Sequence, residues 1–349
     1  MSQASPFISI DPGLNIANKR HVISAMQALV SASHDKLAEV AHAAYHPHAD
    51  LHIIHPFNDP DGIDQALEQF WQPLRRAFPD AERREDIVAG GYYHGGEWVG
   101  CLGHLLATFQ QDFVGIPATR RPIALRFAEG HRLHDGKIQT SYLFIDLLDL
   151  MRQAGIWPIA PSLGHEMTWL APRTHDGVVL TPQDEARSQR NLERVLAMHA
   201  ALGRYPGDAV PSRRALDAMA MIDHWHAHFM WYGPAGIGTT RGLRGFEDHH
   251  QIPFLTAFPD RGGTDNPPHF ISIGDGDYVV TGGWGSLQAT HTGGNWLGMP
   301  PTGRRIHMRV MDFYRCDEQT IVENWVPIDV LHILWQMGFD VLERVQQTR

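Results

Sequence analysis

Amphipathic helical patterns open both halves of the chain. Apolar residues recur at spacings of three and four over residues 20–44 and again over residues 185–202. This spacing gathers apolar side chains on one face of a helix, so it predicts a helix in each segment. Residues 213–222 continue the helical pattern of the second half. The same kind of element therefore begins both halves.

The later part of each half has the pattern of strand, polar turn and strand. Residues 133–138 (LHDGKI) correspond to residues 316–321 (CDEQTI), and in both an apolar run is broken by a polar turn. The second strand is predicted to continue over residues 141–146 and 324–329, and in each copy an apolar-periodic segment that suits a short helix follows. Each half is thus predicted to combine helices with strands.

Three short motifs recur in one order and identify the halves as copies of a single domain. The motif AFPD at residues 77–80 returns at residues 257–260, an offset of 180. Two more motifs return at an offset of 183: GIPAT at 115–119 as GMPPT at 298–302, and QAG at 153–155 as QMG at 336–338. Three landmarks in one order indicate a duplication.

A connector between the copies is predicted over residues 157–184, which are rich in Pro, His, Thr and Gly and lack a sustained period. We therefore assign residues 1–157 to copy one, residues 158–185 to a linker and residues 186–349 to copy two. The length supports two domains, because single cores usually stop growing near ~250–300 residues.

Composition restricts the possible partners. The net charge of −10 and the absence of a basic stripe argue against a nucleic-acid partner. No run of about 18 apolar residues and no signal-peptide pattern occurs, so we expect a cytoplasmic protein without a membrane partner. The two cysteines, Cys101 and Cys316, have no disulfide or metal-site spacing, and both are predicted to be buried.

The order of these motifs resembles that of SnoaL-like polyketide cyclases in the NTF2-like superfamily. The resemblance covers residues 20–157 and 210–345. The second copy matches better, because it keeps the motif THTG at residues 290–293 and the W-x-x-x-D ending that starts at Trp325. The first copy lacks THTG and has Tyr142 in place of the Trp.

This resemblance implies an α+β fold in each copy, with helices packed against a strongly curved mixed sheet around an apolar pocket. It also implies catalysis without metal or organic cofactor. Members of the family usually pair through their sheets, so we expect the two copies to pair within the chain, and a further homo-oligomer remains open. The fold alone does not determine function, because this superfold hosts cyclases, dehydratases, isomerases, hydrolases and ligand-binding proteins.

The family's acid/base residue has no equivalent in either copy. SnoaL-type cyclases close a ring by an aldol step, with an Asp directly after the Trp of the strand. Here these positions hold Val326 and Leu143. The family's pocket His, on the preceding strand, corresponds to Asp312 and Glu129. We therefore choose Asp312 as the leading general acid/base and Glu129 as its counterpart in copy one, since burial in an apolar pocket raises a carboxyl pKa.

Alternatives remain open for these acids. Asp312 or Glu129 would be structural if it faced outward or bound a neighbouring Arg such as Arg309 or Arg126. Three further catalytic candidates come from the resemblance: His291 of the THTG motif, and Asp329 and Asp146 of the W-x-x-x-D ending. For the two Asp residues a helix-cap role is favoured over catalysis, and for His291 pocket and surface positions are equally compatible with the sequence.

Aromatic and histidine residues supply the candidate substrate-binding groups: His226, Trp231, Tyr232, Trp284, Trp296 and, in copy one, His55. The row His224, His226 and His228 would share one face of a strand, as metal ligands do in some β-barrels. The sequence nominates no further ligand, so a plain His row is favoured and no metal is predicted.

The resulting hypothesis is a cofactor-independent lyase, isomerase or cyclase that acts by acid/base chemistry on an apolar, ring-containing carbonyl compound. The main alternative is a non-catalytic protein that binds a small hydrophobic ligand in the same pocket. A third hypothesis is an interaction module, which would expose a large apolar face. A titratable group with a shifted pKa inside the pocket would distinguish the first from the second.

Overall fold

The computed structural model describes residues 7–205, 211–261 and 269–347, and these residues form two compact units. The first-repeat unit contains residues 8–158, 170–183 and 341–347. The second-repeat unit contains Phe7, residues 159–169 and the described part of residues 184–340. No described helix combines the length and apolar character needed to cross a membrane.

The first-repeat unit combines helices with a five-stranded sheet. Its elements are α1 (Pro12–Ser31), α2 (Leu37–Ala44), β1 (Tyr45–Ile53), α3 (Gly62–Ala66), α4 (Gln72–Ala77), β2 (Glu82–Tyr93), β3 (Gly96–Thr108), β4 (Pro122–His134), β5 (Lys137–Ile145) and α5 (Leu147–Gln153). A π-helical turn, Leu67–Trp71, joins α3 to α4. The sheet order is β1-β5-β4-β3-β2, with β1 parallel to β5 and the other neighbours antiparallel.

The second-repeat unit repeats this plan. Its elements are α6 (Glu185–Leu202), α7 (Arg213–Leu216), β6 (Trp225–Tyr232), β7 (Thr240–Arg241), α8 (Gly242–Phe246), α9 (Ile252–Ala257), β8 (Ile271–Asp275), β9 (Tyr278–Thr290), β10 (Arg305–Cys316), β11 (Ile321–Trp325) and α10 (Val330–Gln336). A π-helical turn, Glu247–Gln251, again joins two helices. The sheet order is β7-β6-β11-β10-β9-β8, and β6 is parallel to β11. The predicted α+β class, with one mixed sheet per copy, is confirmed.

The repeated motifs are structural joints. The carboxylate of Asp80 accepts hydrogen bonds from the backbone N–H of Thr108 (2.8 Å) and from its hydroxyl (2.6 Å). Asp260 accepts in the same way from the backbone N–H of Thr290 (2.7 Å). Each Asp thereby ties the residues after a helix to the end of a strand. The AFPD motif recurs because both copies need this joint.

The other two motifs form a turn and a side-chain clamp. Gly115 and Gly298 lie in matching tight turns with φ of 84° and 85°, a conformation that favours glycine. The side-chain amide of Gln153 accepts a hydrogen bond from Ala124 N (2.9 Å) and donates one to Ala124 O (2.9 Å). Gln336 makes the same pair of bonds with His307, both 3.0 Å long. The terminal helix of each copy is therefore anchored to a sheet strand.

The residues predicted as a connector are divided between the units. In the first-repeat unit, Gly177 O accepts a hydrogen bond from Val88 N (2.8 Å), and Val179 N donates to Val88 O (3.0 Å). These two bonds place a short segment beside the edge strand β2. In the second-repeat unit, the indole N–H of Trp169 donates to Gly233 O at 3.0 Å. The last helix, α11 (Val341–Gln347), belongs to the first-repeat unit.

Candidate active site

A cavity of about 390 Å³ lies inside the second-repeat unit. This volume is typical of sites for small organic molecules. Most of its walls are apolar, and they include Met198, Leu202, Trp225, Trp231, Phe246 and Phe254. Its polar lining comes from α6, the π-helical turn, the sheet and the residues between α9 and β8: His199, His250, Gln251, Arg261, His269, Ser286, Asp312, Tyr314 and Asn324. The cavity can therefore surround an apolar molecule and form hydrogen bonds with a few polar atoms of that molecule.

Strand alternation and a bulge bring the sheet residues to the cavity. On β10, Val310, Asp312 and Tyr314 are two residues apart, so they share one face, and all three line the cavity. On β9, the pairing with β10 skips two residues between Trp284 and Leu287. Leu287 and one of the skipped residues, Ser286, line the cavity. The first repeat has no such interruption between β3 and β4.

Asp312 is the only carboxylate that lines this cavity among the described residues. Its Oδ1 atom accepts a hydrogen bond of 3.3 Å from the side-chain amide of Asn324. Burial raises the pKa of Asp312 to about 6, although hydrogen bonds from Asn324 and Tyr314 oppose the shift. Within the described residues no Lys, Arg or His nitrogen lies within ion-pair distance of it. The carboxyl group is thus positioned to exchange a proton near neutral pH.

Tyr314 connects this carboxyl group to a half-buried histidine. The Tyr314 hydroxyl and His199 Nε2 are 2.8 Å apart. Burial raises the pKa of Tyr314 well above its usual value, and burial lowers the pKa of His199 to about 3, with a smaller contribution from His269. Both side chains are therefore neutral at physiological pH.

His250 presents an imidazole to the cavity from the π-helical turn. Its ring stacks on Trp231 with centroids 4.2 Å apart. Nδ1 is buried and has no hydrogen-bond partner among the described residues. Burial, with a smaller effect of the Arg261 charge, lowers the pKa of His250 to about 3. A neutral imidazole with a free ring nitrogen can hydrogen-bond a polar atom of a bound molecule.

The corresponding acid in the first repeat has a different environment. Glu129 accepts two hydrogen bonds from the guanidinium of Arg83, both 2.8 Å long, and lies 3.2 Å from His131 Nε2. Burial alone would raise the pKa of Glu129, but the charge of Arg83 and the hydrogen bonds from His131 and Arg83 outweigh burial and lower it to about 2. Arg83 also stacks over Phe127 at 3.9 Å. Glu129 is therefore held as a permanent anion in an ion pair.

Larger side chains also occupy the first-repeat interior. At the AFPD offset, Phe70 and Trp71 correspond to His250 and Gln251, and both aromatic residues are 2% exposed. Phe70 and Trp71 pack edge to face with centroids 4.9 Å apart. The positions that supply polar groups to the cavity in the second repeat are thus part of an aromatic core in the first.

Comparison with known families agrees with this duplicated architecture. A family model described as SnoaL-like polyketide cyclase matches residues 20–154 and again residues 208–337. The chain belongs to the SnoaL-like polyketide cyclase family. The two matches confirm the prediction of tandem SnoaL-like copies. A comparison with curated protein sequences found no match.

Solved structures of SnoaL-like and NTF2-like proteins each match about one repeat. A proposed SnoaL-like polyketide cyclase from Jannaschia sp. CCS1 is 22% identical, with 41% of this chain and 94% of that chain covered and a TM-score of 0.35. IdmH, a proposed polyketide cyclase from Streptomyces antibioticus, is 18% identical, with 40% and 99% covered and a TM-score of 0.33. An NTF2-like protein from Burkholderia xenovorans LB400 is 16% identical, with 43% and 97% covered and a TM-score of 0.31.

In this SnoaL-like protein the two Asp residues of the W-x-x-x-D ending cap helices. Asp146 accepts a hydrogen bond from Asp149 N (3.0 Å) and pairs with Arg126 (2.9 Å). Asp329 accepts from His332 N (3.1 Å) and pairs with Arg309 (3.2 Å). Neither lines the cavity. The arginines named as alternative partners for the leading acids therefore bind these caps instead.

His291 also lies away from the cavity lining of the SnoaL-like site. It is fully buried, and its Nδ1 atom lies 3.3 Å from the Thr302 hydroxyl. Its backbone carbonyl accepts hydrogen bonds from the N–H groups of Thr302 (3.2 Å) and Gly303 (2.9 Å). The geometry is that of a residue that holds the loop after β9.

Of the residues predicted to bind substrate, Trp231 lines the cavity. The others have different positions: Tyr232 stacks on Trp325, Trp284 packs under Arg309, Trp296 packs against Phe258, His226 is exposed on β6, and His55 is in the first-repeat unit. The aromatic residues were expected at the pocket wall, but strand alternation and the loop after β9 direct them into other packing layers. Across the described ranges no group of three or more His, Cys, Asp or Glu side chains is arranged to hold a metal ion.

The sequence patterns did not indicate several of the residues that line the cavity. Tyr314 could have been found, because it is two residues from Asp312 on the same strand and must share its face. Asn324 pairs directly with Tyr314 across β10 and β11, which requires the register. His250 and Arg261 gave no such signal, because their directions depend on the π-helical turn and on packing.

Proposed function

We propose that the second-repeat unit is a cofactor-independent acid/base enzyme that acts on a mostly apolar carbonyl compound as a lyase, isomerase or cyclase. The observation that carries this proposal is the position of Asp312. It lies at the wall of an apolar cavity without a cationic partner among the described residues, whereas the aligned Glu129 is neutralised by Arg83.

Asp312 would act as the proton carrier. As a carboxylate it takes a proton from the carbon next to a carbonyl group, and the electron pair of that C–H bond moves toward the carbonyl oxygen. The protonated carboxyl group then returns the proton to another carbon or to a leaving oxygen. A pKa of about 6 allows both steps at neutral pH.

His250 would stabilise the oxygen on which charge develops. A neutral imidazole donates a hydrogen bond to that oxygen without giving up a proton at pH 7, because its imidazolium form is disfavoured by burial. Trp231 and Phe246 exclude water, which strengthens this interaction.

Deuterium exchange tests this function directly. The protein is incubated in D2O with a panel of ring ketones, diketones and β-hydroxy ketones, and each compound is analysed by mass spectrometry. We expect deuterium to enter next to the carbonyl of some compounds faster than in protein-free D2O, accompanied by isomerisation, loss of water or ring closure. A ligand that stabilises the protein thermally but returns without deuterium or chemical change would contradict catalysis.

The pH profile of turnover provides a second prediction. If Asp312 starts the reaction as a base, kcat/KM should rise with pH and level off above an apparent pKa of about 6. The measurement is initial rate at subsaturating substrate from pH 4.5 to 8.5. A rate that is constant over this range, or that falls as the pH rises through 6, would contradict the role of Asp312 as the base.

The alternative function is binding without turnover. It is favoured by Val326, which lines the cavity at the position where the family resemblance places the catalytic Asp. A binding protein requires the same apolar walls but no proton carrier. The exchange experiment separates the two functions, because binding alone leaves the C–H bonds of the ligand intact.

A further inference from the structure

Arg261 brings a positive charge into the cavity of the second repeat. It directly follows the AFPD motif, at the position where the first repeat has Ala81, which is 9% exposed. Arg261 lines the cavity together with Phe254, and its guanidinium carbon lies 5.9 Å from the centre of that ring. The charge therefore distinguishes the second-repeat interior from the first.

The described residues satisfy only part of the guanidinium group of Arg261. Its one hydrogen bond recorded among the described residues joins NH2 to Leu202 O, at the end of α6, over 3.3 Å. No described carboxylate lies within 4 Å of it, and the preceding Asp260 is bound to Thr290 N. A guanidinium has five N–H donors, so several have no acceptor among the described residues and can donate to a bound molecule. Burial lowers the pKa of Arg261 to about 10, so it stays charged at neutral pH.

A second unsatisfied polar group lies in the same cavity. Gln251 is 3% exposed and lines the cavity, yet neither its amide nitrogen nor its amide oxygen has a hydrogen-bond partner among the described residues. Burying an amide without hydrogen-bond partners is unfavourable, so such a group is well placed to bind a ligand or water. Gln251 follows His250 in the sequence, and the charge of Arg261 contributes to the lowered pKa of His250.

We propose that the compound bound in this cavity is an acid, with a carboxylate held by Arg261 and Gln251 and an apolar ring body against Trp231 and Phe246. The inference rests on the proposed function in one respect: it places the reacting carbonyl of the same molecule near Asp312. Arg261 and a carboxylate form paired, charge-assisted hydrogen bonds, and the amide N–H of Gln251 adds a third donor.

Matched acids and esters test the assignment. Binding of 2-naphthoic acid and of methyl 2-naphthoate is measured by calorimetry at pH 7.5, in Asp312→Asn protein, so that neither turnover nor the Asp312 charge contributes. We expect the acid to bind about 10- to 100-fold more tightly than the ester. Arg261→Met should weaken binding of the acid much more than binding of the ester and so remove this preference, Arg261→Lys should retain part of it, and Gln251→Leu should reduce it.

Arg244→Met is the matched control, because Arg244 is an 85% exposed arginine of α8 in the same unit. It should leave the acid preference intact. Equal affinity for acid and ester, persistence of the preference in Arg261→Met, or failure of both probes to bind would each overturn the anion site. These outcomes are independent of deuterium exchange by the wild-type protein, so a failed acid preference and a failed proton transfer are distinguishable.

Discussion

Replacing Asp312 with Asn is expected to lower kcat/KM by about 10²- to 10⁴-fold, the usual contribution of a positioned general base. The amide keeps the shape of the side chain and the contact with Asn324 but cannot accept the proton. The measurement is the steady-state rate on any compound that the wild-type protein converts. Glu318→Gln, at an exposed acid of the same unit, should leave the rate unchanged.

The same variant should be at least as stable as the wild type at high pH. The pKa of Asp312 in the folded protein, about 6, lies above its ordinary value of 3.8. The folded state therefore binds the proton more tightly, and the stability present below pH 3.8 is lost as pH rises through 6. Asp312→Asn removes this loss, so its melting temperature should exceed that of wild type at pH 8 but not at pH 4. A large destabilisation at pH 8 would identify Asp312 as a structural residue.

Glu129→Gln should have the opposite effect and destabilise the first-repeat unit by about 3–5 kcal/mol, because it leaves the charge of Arg83 buried without its partner. The side chains of Arg83 and Glu129 are only 1% and 6% exposed. The pKa of Glu129, lowered from 4.5 to about 2, gives the sign for the wild type: the stabilisation is present above pH 4.5 and is lost as pH falls through 2.

Urea unfolding followed by tryptophan fluorescence measures this effect, with separate transitions fitted if the two units unfold independently. The control is Glu82→Gln, which removes one partner of the exposed Arg84–Glu82 pair and should cost no more than about 1 kcal/mol. The double variant Arg83→Met with Glu129→Leu should recover most of the lost stability, since apolar replacements of a buried pair are often neutral. A loss below about 1 kcal/mol in Glu129→Gln would contradict a structural role for this ion pair.

The predictions for Asp312→Asn and Glu129→Gln distinguish the expected roles of two aligned acids. Asp312 and Glu129 occupy the same register, opposite Thr281 and Cys101 on the preceding strand of their sheets. One has an amide neighbour and faces a cavity, and the other has a guanidinium partner and is enclosed. The aligned carboxyl groups therefore have different neighbours, an amide for Asp312 and a guanidinium for Glu129.

Much of the fold was available from the sequence because it is carried by local patterns. The AFPD, G-[IM]-P and Q-x-G motifs recur because each makes a short-range joint that both copies need: an Asp clamp, a turn with positive φ, and a Gln that binds a strand edge. The family resemblance selected Asp312 by its register relative to the next turn, but the sequence left open whether its side chain faces the pocket.

Which side chains meet in the interior of each unit depends on the tertiary structure. Arg83 and Glu129 are 46 residues apart in sequence, so no local pattern reveals that they pair. His250 and Gln251 lie on a π-helical turn, which rotates side chains away from the faces that α-helical spacing predicts. Periodicity and motifs determined that this chain is a duplicated SnoaL-like α+β protein. Packing between distant segments decided which carboxylate is neutralised and which faces a cavity, because ion pairing and desolvation depend on neighbours that sequence distance does not specify.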